Sequence, residues 1–218
     1  MARLCIFDLD GTLIDSRLDL ANSVNAMMAE AGKPPLEHPV IFSYVGNGAP
    51  VLVRKALGPD ASDEQVAHSL KYFIDYYRDH AMDDTKLYPG VREALDRLHA
   101  GGVQLAILTN KPVKISESIM KALGLAPMLF RVYGGNSFEF KKPNPVGIDT
   151  LRKEAGINAE LTWMVGDSIV DMQTARNAGV HSCGVTYGLQ PETLGGCPPD
   201  LLVDRMEDFA AHVLKLQG

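Results

Sequence analysis

The sequence predicts an α/β fold, and three observations support this prediction. Short apolar segments without polar alternation recur along the chain, as is typical of parallel strands buried on both faces. After residue 89 these segments alternate with helical patterns. Between the first apolar segment and residue 89 the patterns are helical only, so this stretch does not fit the alternation. Together they indicate a Rossmann-like parallel sheet core with helices on both faces and an inserted all-helical cap domain.

The first part of the chain begins with an apolar run at residues 4–7, which predicts a buried strand ending at Asp8. From residue 17 apolar residues recur at helical spacing until glycine and proline residues stop the pattern at residues 32–35. Two further helices are predicted over residues 48–57 and 62–78, the second with a capping-box pattern at its start. Methionine and tyrosine side chains on these helices, including Tyr77, are interpreted as packing surfaces.

After Pro89 and Gly90, predicted strands and helices alternate. The strands are predicted at residues 103–108, 131–133, 162–165, 180–185 and 201–203. The helices are predicted at residues 91–100, 113–123, 146–155 and 169–178, with a last helix after residue 203. We therefore predict two domains, an α/β catalytic core of residues 1–15 and 87–218 and a helical cap of residues 16–86.

Composition excludes several classes of function. The chain is 46% hydrophobic and 22% charged, which are ordinary globular proportions and argue against disorder. No apolar run approaches a membrane span and no signal segment is visible, so we expect a cytoplasmic protein with no membrane partner. The net charge of −6 argues against a nucleic-acid partner, although it does not exclude a phosphate substrate. The three cysteines form no Cys-x-x-Cys pair and are expected to be reduced thiols.

Two carboxylates follow the first predicted strand directly, at Asp8 and Asp10. Residues i and i+2 on extended backbone point the same way, and ligands of open α/β sheets bind at the carboxyl ends of the strands. Two like charges so close need a cation or a proton between them. The pair therefore indicates a divalent-metal site with one free carboxylate and one partner that can carry a proton. A polar turn is the alternative, whereas an EF-hand is excluded because Leu13 stands where that loop requires glycine.

A second acidic pair follows the strand predicted at residues 162–165. Asp167 closes this strand and Asp171 lies one helical turn further, so both can face one point. In the alternative interpretation, Asp167 or Ser168 caps the helix and Asp171 favours its dipole. Beside the first pair, shared ligation of Mg²⁺ is the better interpretation, since Mg²⁺ sites use one or two carboxylates with water and phosphate oxygens.

Three further polar residues lie near predicted strand ends or turns. Thr109 and Asn110 end the strand at residues 103–108 just before a helix, where a hydroxyl and a helix N-terminus can hold phosphate. Lys142 precedes a proline, which favours extended backbone, and it could neutralise both the carboxylates and a phosphate. For Thr109 or Asn110 the alternative is a simple helix cap, which is the better interpretation of these residues taken alone. For Lys142 the alternative is a solvated lysine, and position alone does not separate the two.

Taken together in chain order, these clusters resemble the four motifs of the haloacid dehalogenase-like phosphohydrolases. The matching segments are Asp8-x-Asp10-Gly11-Thr12, Thr109, Lys142-Pro143 and Gly166-Asp167-x-x-x-Asp171. The helical insertion is similar to that family's C1-type cap. The segments at residues 44–48 and 53–57 resemble its phosphoglycolate phosphatase branch. Asp10 argues against carbon–halogen chemistry, because the dehalogenases of the family lack this second aspartate.

The resemblance implies a Mg²⁺-dependent phosphomonoester hydrolase that acts on a small phosphorylated metabolite, with 2-phosphoglycolate as the first candidate. It implies that Asp8 is the nucleophile that forms an aspartyl-phosphate and that Asp10 is the general acid and base. The implied metal ligands are the Asp8 carboxylate, the Asp10 backbone carbonyl and Asp167, with Asp171 acting directly or through water. The implied phosphoryl-binding residues are Thr109, Asn110 and Lys142.

The residues that choose the substrate are expected on the cap. Arg54 or Lys55 could receive a small carboxylate such as that of 2-phosphoglycolate, although a solvated helix face explains either one equally well. A phosphosugar mutase, a phosphatase for another small metabolite and a non-enzymatic phosphate-binding protein are the alternative functions. The sequence leaves open whether the protein is a monomer or a homodimer.

Overall fold

Six strands form the central sheet of the computed structural model, which describes residues 3–216. They are β1 (Leu4–Phe7), β4 (Gln104–Leu108), β5 (Leu129–Tyr133), β6 (Thr162–Gly166), β7 (His181–Val185) and β8 (Leu201–Val203). The spatial order is β5-β4-β1-β6-β7-β8, and each neighbouring pair is parallel. The predicted α/β class with a parallel sheet is therefore confirmed.

Helices cover both faces of this sheet. In chain order the α-helices are α1 (Arg17–Glu30), α2 (His38–Phe42), α3 (Ala49–Leu57), α4 (Asp63–His80), α5 (Val91–Ala100), α6 (Val113–Ala122), α7 (Val146–Ala155), α8 (Ile169–Ala178) and α9 (Met206–Lys215), and the last five of them pack on the sheet. Side chains alternate across each strand, so Cys5 and Phe7 of β1 join one apolar cluster with residues of α5, α6 and α9. Leu4 and Ile6 join a second cluster with α7 and α8. Burial on both faces explains the non-alternating apolar runs.

The four helices α1 to α4 lie between two short strands, β2 (Ile14–Asp15) and β3 (Lys86–Leu87). These strands pair antiparallel, with Ile14 opposite Leu87, so the chain leaves the sheet region and returns to it at neighbouring points. This segment corresponds to the predicted cap of residues 16–86. The pairing supports that division, which stays a prediction, and its outer bounds at residues 1 and 218 lie outside the described residues.

Three elements of the helical segment and its boundaries were not predicted. Helix α2 has five residues and follows a proline pair, so it is too short to show a helical period. Strands β2 and β3 have two residues each, and their pairing depends on the fold of the whole intervening segment. The other elements agree with the predicted ones to within about two residues, the usual uncertainty of element ends.

Two further findings concern membrane-spanning helices and cysteines. Among residues 3–216, no helix combines the length and the apolar character needed to cross a lipid bilayer. Cys5, Cys183 and Cys197 are buried and unpaired, in agreement with the expected free thiols.

Candidate active site

The candidate site lies at the carboxyl ends of the three central strands, β4, β1 and β6. Asp8, Thr109 and Asp167 each come directly after one of these strands. Because the strands are parallel and adjacent, their ends meet at one edge of the sheet. All three side chains are nearly completely buried. The structure thus brings together the strand-end residues that the sequence singled out.

Three carboxylates form the centre of the site. Oxygens of Asp8, Asp167 and Asp171 lie within 4.8 Å of one another, and all three residues are buried. Burial raises the pKa of Asp8 to about 6, a rise that the Lys142 charge opposes and the Asp171 charge reinforces. Burial and the charges of the other two carboxylates raise the pKa of Asp167 to about 7. The cluster is therefore short of positive charge.

Lys142 supplies the cation of this cluster. Its Nζ lies 2.9 Å from Asp8 Oδ1 and 2.6 Å from Asp171 Oδ1, and its side chain is buried. Burial alone would lower the pKa of Lys142, but the charges of Asp171 and Asp8 outweigh it and raise the pKa, so the ammonium persists. Lys142 lies in a turn in which the Asn144 N–H donates to Lys141 O at 2.9 Å, and the extended backbone expected at Lys142 stays a prediction.

The charges of the cluster fit one divalent cation. Three ionised carboxylates and one ammonium carry a net charge of −2, which a single dication would neutralise. Carboxylate oxygens are ligands that Mg²⁺ prefers. The Asp10 carboxylate turns to other partners, and the prediction that Asp10 contributes its backbone carbonyl stays a prediction.

Neighbouring groups hold Asp167 and Asp171 in place. Asp167 Oδ2 accepts hydrogen bonds from the backbone N–H groups of Leu189 (2.7 Å) and Gln190 (3.1 Å). Asp171 Oδ2 accepts from the hydroxyl of Ser168 at 2.7 Å, while its Oδ1 faces Lys142. Both oxygens of Asp171 are therefore engaged, which fits the supporting role that the resemblance implies for it.

Glycine at residues 11 and 166 allows these carboxylates to approach the backbone. A Cβ at Gly11 would lie 2.3 Å from Asp167 Oδ2, and Gly11 has φ +84°, which glycine adopts without strain. A Cβ at Gly166 would lie 2.2 Å from Asp171 Cγ. Both positions require glycine because the space for a side chain is occupied by a site carboxylate.

Asp10 lies beside the carboxylate cluster but has its own partners. Its Oδ1 accepts from Ser16 Oγ at 2.6 Å and from Lys111 Nζ at 2.7 Å. Lys111 Nζ also donates to the hydroxyl of Tyr77, and it lies over that ring, 4.4 Å from the centroid. Asp10 therefore belongs to a second charged group of the site, made of an aspartate, a lysine and a tyrosine.

Burial affects the pKa values of Lys111 and Tyr77. Burial alone would lower the pKa of Lys111, but the Asp10 charge and the hydrogen bonds to Asp10 and Tyr77 outweigh it and raise the pKa. Burial raises the pKa of Tyr77 to about 12, against the opposing Lys111 charge. At neutral pH the site therefore holds a protonated Lys111 beside a neutral Tyr77.

Lys111 was not among the site residues predicted from the sequence, and Tyr77 was predicted to be a packing residue only. A single lysine after two polar residues gives no sign of burial, and a tyrosine at helical spacing is typical of a packed helix face. Tyr77 is indeed buried, yet its hydroxyl faces the site. One signal for Lys111 was present, since Lys111-Pro112 repeats the Lys-Pro dipeptide of Lys142-Pro143.

Three side chains of the core hold the main chain of the helical segment over the site. Gln190 Nε2 donates to the carbonyl of Val45 at 2.9 Å. Asn110 Nδ2 donates to Gly46 O at 3.0 Å, and Lys141 Nζ donates to Asn47 O at 2.5 Å. We call these three successive carbonyls and their donors the 45–47 clasp. The side chain of Asn110 thus has a docking role that the sequence did not predict, and its role in phosphate binding stays a prediction.

The structure does not bring Arg54 to the site. Its guanidinium donates to the carbonyl of Ala61 at 2.9 Å and pairs with Asp63 at the start of α4. Lys55 Nζ lies over the Tyr44 ring, 5.4 Å from its centroid. The expectation that Arg54 binds a substrate carboxylate therefore finds no support, because helix α3 directs this residue to α4 and solvent instead.

A cavity of about 40 Å³ separates the helical segment from the core at this point. Its apolar wall comes from the helical segment and includes Leu20, Leu52 and Phe73. Its polar wall consists of Asp8, Asp10, Tyr77, Thr109, Asn110 and Lys111. The site thus combines an acidic strand edge, which holds one buried ammonium, with a small adjoining pocket that has an apolar wall.

The raised pKa values predict how stability depends on pH in the absence of metal. An aspartate in the unfolded chain titrates near pH 4, whereas Asp8 and Asp167 titrate near 6 and 7 when folded. Between these values the folded protein binds more protons, so its free energy of unfolding should fall as the pH rises from about 4 to about 7. Urea unfolding in EDTA at several pH values measures this.

The matched control is Asp167→Asn, in which the free energy of unfolding should depend less steeply on pH, because one of the two titrating carboxylates is gone. Added Mg²⁺ should raise stability most at pH 8, where the carboxylates are charged. A metal-free stability that rises over this pH range relative to the Asp167→Asn variant would contradict the argument.

Comparisons with known proteins agree with this geometry. A family model described as haloacid dehalogenase-like hydrolase matches residues 5–185. A phosphoglycolate phosphatase of Vibrio vulnificus (strain CMCP6) is 38% identical over 219 residues, covering 97% of this chain and 96% of the relative. A phosphoglycolate phosphatase of Agrobacterium fabrum is 36% identical over 214 residues, covering 97% of this chain and 91% of that relative.

A solved structure is similar over nearly the full length as well. The crystal structure of a predicted phosphoglycolate phosphatase from Haemophilus somnus 129pt superposes with a TM-score of 0.91 at 31% sequence identity. The match covers 99% of this chain and 98% of that one. The sheet, the helical segment and their connection are therefore shared with that protein.

Proposed function

The chain belongs to the haloacid dehalogenase-like hydrolase family, and on this premise we propose that it is a Mg²⁺-dependent phosphatase that converts 2-phosphoglycolate to glycolate and phosphate. The proposal rests on one observation above all. Asp8 lies at the carboxyl end of the central strand, beside the buried ammonium of Lys142 and two further carboxylates. This arrangement supplies a nucleophile, a cation for phosphoryl oxygens and ligands for a divalent metal.

The choice of substrate has two supports. Relatives that are similar over nearly the whole chain are named phosphoglycolate phosphatases. The pocket beside the carboxylates has a volume of about 40 Å³, which favours a leaving group of a few atoms over a sugar. We infer a cytoplasmic enzyme for a small phosphorylated metabolite, with residues 16–86 as the cap of the catalytic core.

In the first step Asp8 attacks phosphorus, so a bond forms from its carboxylate oxygen to phosphorus while the ester P–O bond breaks. Asp10 in its protonated form donates its proton to the leaving oxygen, and glycolate departs. Asp10 as carboxylate then takes a proton from water, whose oxygen attacks phosphorus and releases phosphate and Asp8. Ser16 and Lys111 orient Asp10 for both transfers.

The remaining site residues stabilise the transferring phosphoryl group. Thr109, Asn110 and Lys142 hold its oxygens through hydrogen bonds that strengthen as charge develops. Mg²⁺ bound by the Asp8 carboxylate, Asp167 and the Asp10 carbonyl, with support from Asp171, would offset the repulsion between two anions. The helical cap excludes bulk water from the reaction.

The proposal predicts metal-dependent release of phosphate from 2-phosphoglycolate. We expect activity with Mg²⁺, its loss after treatment with EDTA, and its return when Mg²⁺ is added in excess. A colorimetric assay of free phosphate measures all three, and a panel of other phosphate esters provides the comparison. Conversion of a phosphosugar to its isomer without phosphate release would favour the mutase instead.

A further inference from the structure

Lys111 and Tyr77 have hydrogen-bonding capacity that the mechanism above does not use. An ammonium has three N–H donors, and within residues 3–216 Lys111 Nζ donates to Asp10 and to the Tyr77 hydroxyl only. The Tyr77 hydroxyl accepts this bond, so its own hydrogen stays available. Both residues line the cavity next to Asp10. The pair thus presents one N–H and one O–H donor from neighbouring atoms.

We propose that Lys111 and Tyr77 bind the carboxylate of the substrate and so select phosphate esters of small 2-hydroxy acids. Two adjacent donors match the two oxygens of a carboxylate, and one of them carries a positive charge. The inference rests on the proposed function, because it assigns a carboxylate-binding pair to the same catalytic site.

The position of the pair fits such a substrate. Asp10 must reach the ester oxygen of the leaving group to protonate it, and Lys111 Nζ lies 2.7 Å from Asp10 Oδ1. In an ester of a 2-hydroxy acid a single carbon separates the ester oxygen from the carboxylate. The carboxylate of a substrate held at Asp8 and Asp10 therefore falls within reach of Lys111 and Tyr77.

The surroundings leave no equally placed cation in the described part of the chain. Lys142 is engaged by Asp8 and Asp171, Lys141 by the carbonyl of Asn47, and Arg54 by Asp63. The cavity lining also includes apolar side chains, among them Leu52 and Phe73. Moving a carboxylate from water into this cavity without a nearby cation would cost binding free energy, because the charge loses its hydration. Binding of a carboxylate therefore depends on Lys111.

Size adds a second limit to the selection. The cavity is small, with a volume of about 40 Å³, and this favours short acids over long ones. Bulkier 2-hydroxy acids would meet the apolar wall, whereas an ester without a carboxylate would leave the donors of Lys111 and Tyr77 unpaired. Lys111 and Tyr77 therefore favour substrates with a carboxylate, and the apolar wall limits the length of the acid.

The test compares kcat/KM for 2-phosphoglycolate with that for ethyl phosphate, which has no carboxylate. We expect wild-type protein to prefer 2-phosphoglycolate by about 100-fold or more, since a site built for a polar group discriminates strongly against its absence. Lys111→Met should reduce this preference at least about tenfold, and Tyr77→Phe should reduce it less. Lys114→Met, which removes a nearby exposed lysine, is the matched control and should leave the preference unchanged.

Each other outcome has a definite meaning. Equal losses on both substrates in Lys111→Met would overturn the inference and make Lys111 a positioning residue for Asp10. If that variant does not fold, Tyr77→Phe decides, since it removes one oxygen only. Wild-type protein that hydrolyses both esters equally well would overturn the inference and leave the phosphatase proposal intact. Hydrolysis of neither ester would instead overturn the proposed function, and the inference with it.

Discussion

Asp8→Asn is expected to reduce phosphate release from 2-phosphoglycolate by about 10⁴-fold or more, since the variant lacks the nucleophile. An amide has nearly the shape of a carboxylate but does not form the phosphorylated intermediate. The buried Lys142 keeps its contact with Asp171 in this variant. The protein should therefore fold, and its thermal midpoint should stay near that of the wild type or above it, because one buried charge is gone.

Two measurements check this expectation. A free-phosphate assay gives the rate, and mass spectrometry of rapidly quenched protein detects phosphorylation of the wild type but not of Asp8→Asn. Asp96→Asn, a change of the same kind at an exposed residue of α5, is the matched control. A variant at residue 8 that keeps a tenth of wild-type activity would assign the nucleophile to another residue.

The second large effect is expected for Lys142→Met, which should lose both stability and activity. The change leaves Asp8 and Asp171 buried without their shared cation, and breaking a buried ion pair in this way costs about 3–5 kcal/mol. It also removes a charge that holds phosphoryl oxygens, which lowers the rate by about 10²-fold or more. Burial raises the pKa of Asp8 to about 6, so protonation of Asp8 relieves the repulsion at pH 5, and the loss of stability should be smaller at pH 5 than at pH 8.

Urea unfolding at both pH values measures the stability difference. Lys141→Met is the matched control, because the neighbouring lysine is half-buried and bonds one backbone carbonyl, Asn47 O. Its loss should cost about 1 kcal/mol, the ordinary contribution of one hydrogen bond. Equal unfolding midpoints for the Lys142→Met variant and the wild type would contradict the assigned role of Lys142.

The sequence alone was enough to predict the sheet and the residues at its edge. Asp8, Thr109 and Asp167 follow apolar runs directly, and parallel strands bring their carboxyl ends together whatever the loops do. Fold class and the acidic cluster are thus consequences of short-range patterns combined with one general rule of sheet topology.

The second charged group (Asp10, Lys111 and Tyr77) and the 45–47 clasp could not be predicted from short-range sequence patterns. Tyr77 and Lys111 are separated by 34 positions and meet because the helical segment contacts the residues that follow β4. Gln190 and Val45 are 145 positions apart. No periodicity records such distant contacts. Arg54, which was expected to bind a substrate carboxylate, pairs with Asp63 in the structure, and its binding role stays a prediction without structural support.

The 45–47 clasp has a consequence for how this segment tolerates substitution. Its three acceptors are backbone carbonyls, which every amino acid provides, whereas its donors are specific side chains of Asn110, Lys141 and Gln190. Gly46 is constrained by φ +104°, but the residues on either side keep their carbonyls when their side chains change. The side chain of Val45, which lines the pocket, can therefore change during evolution while the 45–47 clasp still holds the helical segment on the core. New substrate preferences can arise in this way without a change in how the two parts of the chain contact each other.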